Sequence, residues 1–208
     1  MSILGGVISL DPIRRALATH DPETLEISDS RGAAVALVLR QSREELEVLF
    51  IERARREGDP WSGHMAFPGG RVDPDDPDVR SAAERETLEE VGIRLDAAER
   101  LGRLDDMRGN RGVGVPSLVV SAFVYYAKDP PELVANYEVQ DTFWFPVSSL
   151  LDPERHVEYP VPWNSGDSFP GIRVGTPDGQ VVWGLTYRFL EEFLGIIGSP
   201  LPERWKLL

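Results

Sequence analysis

The chain has 208 residues, of which 41% are hydrophobic and 27% charged, and this globular composition argues against wholesale disorder. Its formal net charge of −13 disfavours binding to nucleic acid or to an anionic membrane, because both require a basic surface. The absence of cysteine excludes disulfides, thiolate nucleophiles and thiolate metal sites. Any metal must therefore bind to oxygen or imidazole.

Length and hydropathy predict one domain over residues 1–208, with a helical appendage at about 1–30 and a C-terminal helix. The longest apolar runs are far shorter than the roughly 20 residues that cross a bilayer. Charged side chains interrupt residues 1–18, so no signal peptide is expected there. A cytoplasmic protein follows as the expectation.

The N-terminal half contains the clearest element signals. Asp11 followed by Pro12 predicts an N-cap and the first turn of a short helix. The β-branched and apolar runs at 33–40 and 46–52, separated by polar residues, predict a hairpin. Residues 53–62 combine charges with Gly58 and Pro60, which indicates an exposed loop.

A helix is predicted over 79–92, because good helix formers fill the segment, Asp76 or Asp78 can cap it, and Gly92 can end it. The remaining expected elements follow in chain order. They are strands at 101–107 and 117–126 joined by a mobile link at 109–114, a helical turn at 146–151, a Pro-rich and Gly-rich stretch to 178, a strand at 180–183 and a helix at 185–197.

Three glutamates stand close together on the central predicted helix. At 100° per residue, Glu86, Glu89 and Glu90 fall within an arc of roughly 100°, while Thr87, Leu88 and Val91 fall on the other side. Such an arrangement is typical of a solvated acidic surface, but a hard divalent cation also removes the repulsion, and Mg²⁺ and Mn²⁺ prefer carboxylate oxygens.

Neighbouring residues favour the metal interpretation. Gly69 and Gly70 allow a tight approach of the backbone, so that a carbonyl can act as a ligand. Arg85 can bind a neighbouring carboxylate with both ends of its guanidinium group and so fix its direction.

From Gly70 to Ile93, the glycine pair, the acidic stretch, Arg85-Glu86, Glu89-Glu90 and Gly92 resemble the signature box of the Nudix hydrolases. Two positions depart from the usual box. Eight residues separate Asp76 from Arg85 where seven are usual, with aspartate in place of glutamate, and Thr87 replaces an aliphatic residue.

The resemblance implies an α/β fold, a Nudix-like α/β/α sandwich with a mixed β-sheet. It also implies hydrolysis of a nucleoside diphosphate linked to another moiety, with Mg²⁺ or Mn²⁺ held by Glu86, Glu89, Glu90 and a backbone carbonyl of Gly69 or Gly70. Arg85 is the expected orienting residue. For the general base the resemblance leaves two candidates, Glu89 and Glu138 in the loop 136–139.

A looser resemblance links residues 59–76, 138–153 and 181–194 to the coenzyme A pyrophosphatase branch of the family. It implies coenzyme A or an acyl derivative as substrate, with ADP-ribose or a nucleotide sugar as the alternative. A homodimer is compatible with the wider Nudix resemblance, because members of that family often pair. A non-catalytic nucleotide-binding module is the competing class, but such modules typically lose the box glutamates.

Other residues could contact the small-molecule nucleotide, although each also has an ordinary structural role. His64 is the histidine nearest the box and could contact phosphate. Basic side chains that could bind phosphates are Arg53, Arg55, Arg56 and Arg71, and aromatic side chains that could stack on adenine are Trp144, Trp163 and Trp183.

Overall fold

The fold is known from a computed structural model that describes residues 8–27, 31–57, 62–109, 118–160, 168–175 and 179–202. These residues form eleven strands and three α-helices. The helices are α1 (Leu10–Thr19), α2 (Val79–Val91) and α3 (Gly184–Ile196). The strands are β1 (Arg31–Gln41), β2 (Leu46–Arg53), β3 (Met65–Ala66), β4 (Gly69–Arg71), β5 (Glu99–Arg103), β6 (Met107–Gly109), β7 (Leu118–Tyr126), β8 (Val139–Pro146), β9 (His156–Pro160), β10 (Ser168–Arg173) and β11 (Val181–Trp183).

Strands β1 to β8 form one mixed sheet around β1 and β2. One edge of β1 pairs in parallel with β7, and the opposite edge pairs antiparallel with β2 and β4. Strand β8 pairs antiparallel with β2, and the predicted hairpin of β1 and β2 is confirmed. Two short 3₁₀ turns follow β8, and the first, Ser148–Leu151, confirms the predicted helical turn.

Helices cover both faces of this sheet, as the α/β/α prediction requires. Helix α2 contributes Ala82, Ala83 and Val91 to a core cluster on one face. On the other face, α1 and α3 pack against inward side chains of β1, β2 and β7, and their buried residues include Ile13, Leu17 and Phe193. Both layers are apolar because the two faces of a central sheet must each exclude water.

Helix α2 begins and ends with the caps that its sequence indicates. The Asp78 carboxylate accepts a hydrogen bond from the Ser81 N–H at 2.7 Å, so Asp78, and not Asp76, is the N-cap. Gly92 ends the helix with φ of 77°, a left-handed conformation that glycine adopts without strain.

Some sequence-based predictions were wrong. The N-cap of α1 is Ser9, and Asp11 lies within the helix, where it pairs with Arg14 at 2.6 Å. The strand expected at 101–107 is divided into β5 and β6. The stretch before residue 178 contains β9 and β10, and β8 was not foreseen, because pairing with distant partners outweighs the local Pro and Gly signals. Most of the expected link at 109–114 lies outside the described residues.

Strands β9, β10 and β11 form a second, antiparallel sheet that leads into α3. The side chain of Gln180 donates a hydrogen bond at 3.1 Å to the buried Glu52 carboxylate of β2, which ties the two sheets together. His20 lies 3.2 Å from Asp105 and 3.8 Å from Glu192 and connects the end of α1 to α3. Among the described helices, none has the length and apolar character needed for a membrane crossing.

Candidate active site

Helix α2 turns two of its glutamates toward the sheet, one helical turn apart. Glu90 is only 1% exposed, and its carboxylate accepts a hydrogen bond from the Gly69 N–H at 2.8 Å. Leu88, expected on the core side, is instead 45% exposed. Thr87 and Val91 are buried as predicted, so the predicted core face was wrong at Leu88. Glu90 lies with Glu86 on the carboxylate face, and it is buried there because the β4 backbone supplies a partner for its carboxylate.

The structure brings a third carboxylate, Glu138, to this pair. Carboxylate oxygens of Glu86, Glu90 and Glu138 all lie within 4.8 Å of one another. We call these three residues the carboxylate trio. Glu138 follows Glu90 by 48 residues in the sequence, and only the folded chain places the three together.

Backbone hydrogen bonds hold the Glu138 loop against the end of α2. The Asn136 N–H donates to the Glu90 carbonyl at 3.1 Å, and the Asn136 side chain accepts from the Glu138 N–H at 2.8 Å. The Glu138 carbonyl in turn accepts from the Ala54 N–H at 2.8 Å. The loop is thus fixed on both sides, to α2 and to the segment that follows β2.

The electrostatics of the trio disfavour three free negative charges. Burial raises the pKa of Glu90 to about 8, although the Gly69 N–H and Arg53 oppose this, and Glu86 and Glu138 add to it. Burial also raises the pKa of Glu86. Two ionised carboxylates at this separation repel by about 3 kcal/mol at an effective dielectric constant of 20. Either protons or a cation must offset that repulsion.

Glu89 lies apart from the carboxylate trio. Its side chain is 54% exposed, and one carboxylate oxygen lies 3.5 Å from the Arg85 guanidinium. Its position leaves its carboxylate accessible to solvent.

Arg85 links the acidic stretch before α2 to the trio. Its guanidinium donates two hydrogen bonds of 3.0 Å to the two oxygens of Asp76, and a third of 3.0 Å to Glu86. A fourth, of 3.2 Å, reaches the Arg71 carbonyl. Because of this pairing, the pKa of Asp76 is lowered and that of Arg85 raised. The altered spacing of the box therefore does not separate Asp76 from Arg85, and the Asp76 side chain is only 6% exposed.

The glycine pair makes room for the trio. A β-carbon on Gly70 would lie 2.4 Å from the Glu86 carboxyl carbon, so this carboxylate occupies the space that a side chain would take. Gly69 has φ of 149°, and a β-carbon there would lie 2.3 Å from the Ala34 carbonyl oxygen of β1. Glycine is thus required at position 70 to leave space for the Glu86 carboxylate, and at position 69 to let β4 pack against the backbone of β1.

Two arginines, Arg53 and Arg56, lie close to carboxylates of the trio. Arg56 lies 3.2 Å from the Glu138 carboxylate and 5.1 Å from the centre of the Tyr137 ring, a contact that the sequence did not indicate. The Arg53 guanidinium is near enough to Glu90 to oppose the rise of that carboxyl's pKa.

The other residues that the sequence named as possible substrate contacts are described by their exposure or by their own contacts. Arg55 and Arg71 are exposed. Trp144 packs beneath the guanidinium of Arg40 at 4.3 Å, and His64 contacts Trp183. Trp163 lies outside the described residues.

The residues present fit a hard divalent cation. Carboxylate oxygens are the ligands that Mg²⁺ and Mn²⁺ prefer, and the trio supplies them at a separation that one ion can bridge. The missing β-carbon of Gly70 leaves the carboxylate of Glu86 space beside the β4 backbone.

Comparison with known proteins identifies the class. The model of the NUDIX domain matches residues 30–163, which is more than half of the chain and includes both α2 and Glu138. The chain therefore belongs to the Nudix hydrolase family. A crystal structure of a MutT/nudix family protein from Enterococcus faecalis has the same fold, with a TM-score of 0.55 at 17% identity over 92% of this chain and 70% of that chain.

Three curated relatives match this chain in sequence, and the share of each protein that is covered differs. The peroxisomal coenzyme A diphosphatase ndx-8 of Caenorhabditis elegans is 32% identical over 149 residues, which are 70% of this chain and 61% of that protein. The uncharacterized Nudix hydrolase NudL of Citrobacter koseri is 30% identical over 177 residues, 83% of this chain and 86% of that protein. The chain spans only 34% of the length of a third relative, an uncharacterized protein of Schizosaccharomyces pombe.

Proposed function

We propose that the protein is a metal-dependent hydrolase of the pyrophosphate bond in a nucleoside diphosphate linked to another moiety. The observation that carries this proposal is the carboxylate trio, in which oxygens of Glu86, Glu90 and Glu138 lie within 4.8 Å of one another. A buried cluster of negative charge is costly unless a cation binds there. Membership of the Nudix family supports the same reaction class.

In this proposal Glu86 and Glu90 of the trio, with the carbonyl of Gly70, hold Mg²⁺ or Mn²⁺. The exposed Glu89 completes the metal site when its carboxylate turns from Arg85 toward the ion. A divalent ion bound there supplies charge neutralisation at the two phosphates and lowers the pKa of a water molecule. Arg85 keeps the Glu86 carboxylate in place through its hydrogen bond of 3.0 Å, and Asp76 fixes Arg85 from the other side.

The proton of the attacking water goes to a carboxylate of this chain. As the water oxygen bonds to phosphorus, the bond from phosphorus to the bridging oxygen breaks, so no covalent enzyme intermediate is needed. Glu138 and Glu89 are the two candidates for the base. We favour Glu138, because its carboxylate lies with those of Glu86 and Glu90, whereas Glu89 points toward solvent.

Coenzyme A or an acyl derivative is the substrate that we favour, with 3′,5′-ADP and 4′-phosphopantetheine as products. The relative named coenzyme A diphosphatase, at 32% identity, supports this choice. ADP-ribose or a nucleotide sugar is the alternative substrate. A cytoplasmic location and a homodimer stay predictions, which cell fractionation and light scattering of the purified protein can check.

A screen of pyrophosphates tests the proposal. Coenzyme A, acetyl-coenzyme A, ADP-ribose and a nucleotide sugar are incubated with the protein and Mg²⁺ or Mn²⁺, and products are identified by mass. We expect cleavage between the two phosphates, and a loss of about a hundredfold or more in kcat for Glu86→Gln and Glu90→Gln. Glu44→Gln, an exposed carboxylate in the turn between β1 and β2, is the matched control.

Two outcomes would contradict the proposal. Unchanged turnover in both site variants would reject the metal assignment. Nucleotide binding without any cleavage product would instead identify a non-catalytic module.

The choice of base is tested separately with Glu138→Gln and Glu89→Gln. We expect the first variant to lose most of kcat and to lose the acidic limb of the pH–rate profile, because that limb reports the base. A larger loss, with the same change of profile, in Glu89→Gln would assign the base to Glu89.

A further inference from the structure

The outer face of the second sheet carries aromatic side chains where polar ones are usual. Its inner face buries His156, Ile172 and Val182, whereas Glu158 and Ser168 at the far end of that face are exposed. Tyr159 pairs with Phe169 across β9 and β10, and Trp183 pairs with Gly171 across β10 and β11. Because directly paired residues share a face, and Gly171 is two residues from Phe169, all three aromatic residues lie on the outer face. We call Tyr159, Phe169 and Trp183 the aromatic platform.

Two rings of the platform stack on each other, and the third is exposed. Trp183 stacks on Tyr159 with ring centres 4.9 Å apart and planes at 20°. Phe169 lies 6.1 Å from Trp183 with the planes at 50°, so it is not stacked on it, and it is 43% exposed. Gly171 allows the three rings to lie close together, because a β-carbon at this position would lie 2.7 Å from a Val181 methyl group and 3.5 Å from the Tyr159 β-carbon.

The platform is connected to the candidate active site. The His64 ring meets the Trp183 ring edge-on at 4.8 Å, and the His64 carbonyl accepts a hydrogen bond from the Arg53 N–H at 3.1 Å. The next residue, Ala54, donates its N–H to the Glu138 carbonyl at 2.8 Å, so the same segment contacts both His64 and the trio. His64 also precedes Gly69 by only five residues, a length of chain that spans at most about 18 Å. One extended nucleotide could therefore reach from the platform to the trio.

We propose that the aromatic platform binds the planar nucleobase of the substrate whose phosphates lie at the carboxylate trio, with Phe169 as the stacking residue. The proposal rests on the proposed function for the position of the phosphates. A flat, exposed ring beside a stacked aromatic pair suits a planar base better than it suits a flexible aliphatic arm. Stacking also adds affinity without a positive charge, which matters on a chain with a net charge of −13.

Three substitutions at one position separate stacking from simple apolar contact. Phe169→Trp keeps an aromatic face, Phe169→Leu keeps apolar area without a ring, and Phe169→Ala removes both. For hydrolysis of an adenine-containing pyrophosphate, we expect KM to rise about tenfold in the Leu and Ala variants, with kcat within about twofold of wild type. The Trp variant should stay within about twofold of wild type in both constants. Because Phe169 is exposed, all three variants should keep the circular dichroism spectrum and the unfolding midpoint of wild type.

Binding measured without hydrolysis makes the test independent of catalysis. AMP has the base but no pyrophosphate bond, and ribose 5-phosphate has neither. We expect the Leu and Ala variants to weaken AMP binding about tenfold, followed by NMR of the AMP protons, and to leave ribose 5-phosphate binding unchanged. Weaker AMP binding in these variants, together with no hydrolysis of any pyrophosphate by wild type, would support the platform and reject the proposed function.

Two results would overturn the inference while the proposed function stands. The first is that hydrolysis depends on Glu90 but the Leu and Ala variants keep wild-type KM and AMP affinity. The second is that the Leu variant matches wild type and only the Ala variant is weakened, which would assign the surface to an aliphatic group.

Discussion

Replacement of Glu90 by glutamine tests whether the site is built for a cation. Burial raises the pKa of this carboxyl from its ordinary 4.5 to about 8, so the folded chain holds the proton more tightly than the unfolded chain does. The stability of the metal-free protein should therefore be highest below pH 4.5 as far as this group is concerned, and should fall as the pH rises from about 4.5 to about 8.

The size of the effect follows from the same pKa. The difference between about 8 and 4.5 corresponds to at most about 5 kcal/mol, at about 1.4 kcal/mol for each pH unit. Relaxation of the site reduces this value, and we expect Glu90→Gln to stabilise the metal-free protein by about 1–4 kcal/mol at pH 8 and by little at pH 5. Glutamine can keep the hydrogen bond from the Gly69 N–H, because its amide oxygen can accept it.

Urea unfolding of wild type and variant, with EDTA and with Mn²⁺, measures these free energies. Metal at about 100 times its dissociation constant should stabilise wild type by about 2.7 kcal/mol and the variant by less. At pH 8 the difference in unfolding free energy between Glu90→Gln and wild type should then become smaller or change sign when Mn²⁺ is added. Equal stabilities of the two metal-free proteins at pH 5 and pH 8, or an equal response to Mn²⁺, would refute the reasoning.

Two further predictions concern the glycine pair and Arg85, which contact the carboxylates of the trio. Gly70→Ala should displace the flexible carboxylate of Glu86, so metal affinity measured by calorimetry should fall about tenfold or more, with a loss of stability below about 2 kcal/mol. Gly69→Ala should instead prevent folding or cost several kcal/mol of stability, because its β-carbon meets backbone atoms. Equal losses of stability in the two variants would contradict this distinction. Arg85→Lys should break the two-point contact with Asp76 and lower kcat more than tenfold, measured by steady-state kinetics, since lysine cannot bind both oxygens in the same plane. Retention of wild-type kcat would show that Arg85 does not orient the site.

Local sequence signals were sufficient for the elements with strong internal patterns. The caps Asp78 and Gly92 and the intervening helix formers define α2, and the two apolar runs define the hairpin of β1 and β2. The box spacing also placed Glu86 and Glu90 one turn apart, because the pitch of a helix is set by backbone geometry alone. These features depend on residues near one another in the chain.

Long-range pairing decided the remainder. Strand β8 exists because it pairs with β2, and β10 exists because it lies between β9 and β11, in spite of its proline and glycine. The burial of Glu90 depends on where the β4 backbone meets α2. No periodicity within the helix carries that information.

The sequence by itself determined the chemistry of this protein, namely which carboxylates, arginine and glycines are available and how α2 spaces them. Only the tertiary structure decided which of them meet: Glu138 joins Glu86 and Glu90, Asp76 holds Arg85 despite the longer spacing, and Glu89 faces solvent. The physical reason is that helix pitch and capping act over a few residues, whereas burial and the meeting of charges depend on segments that are distant in the chain.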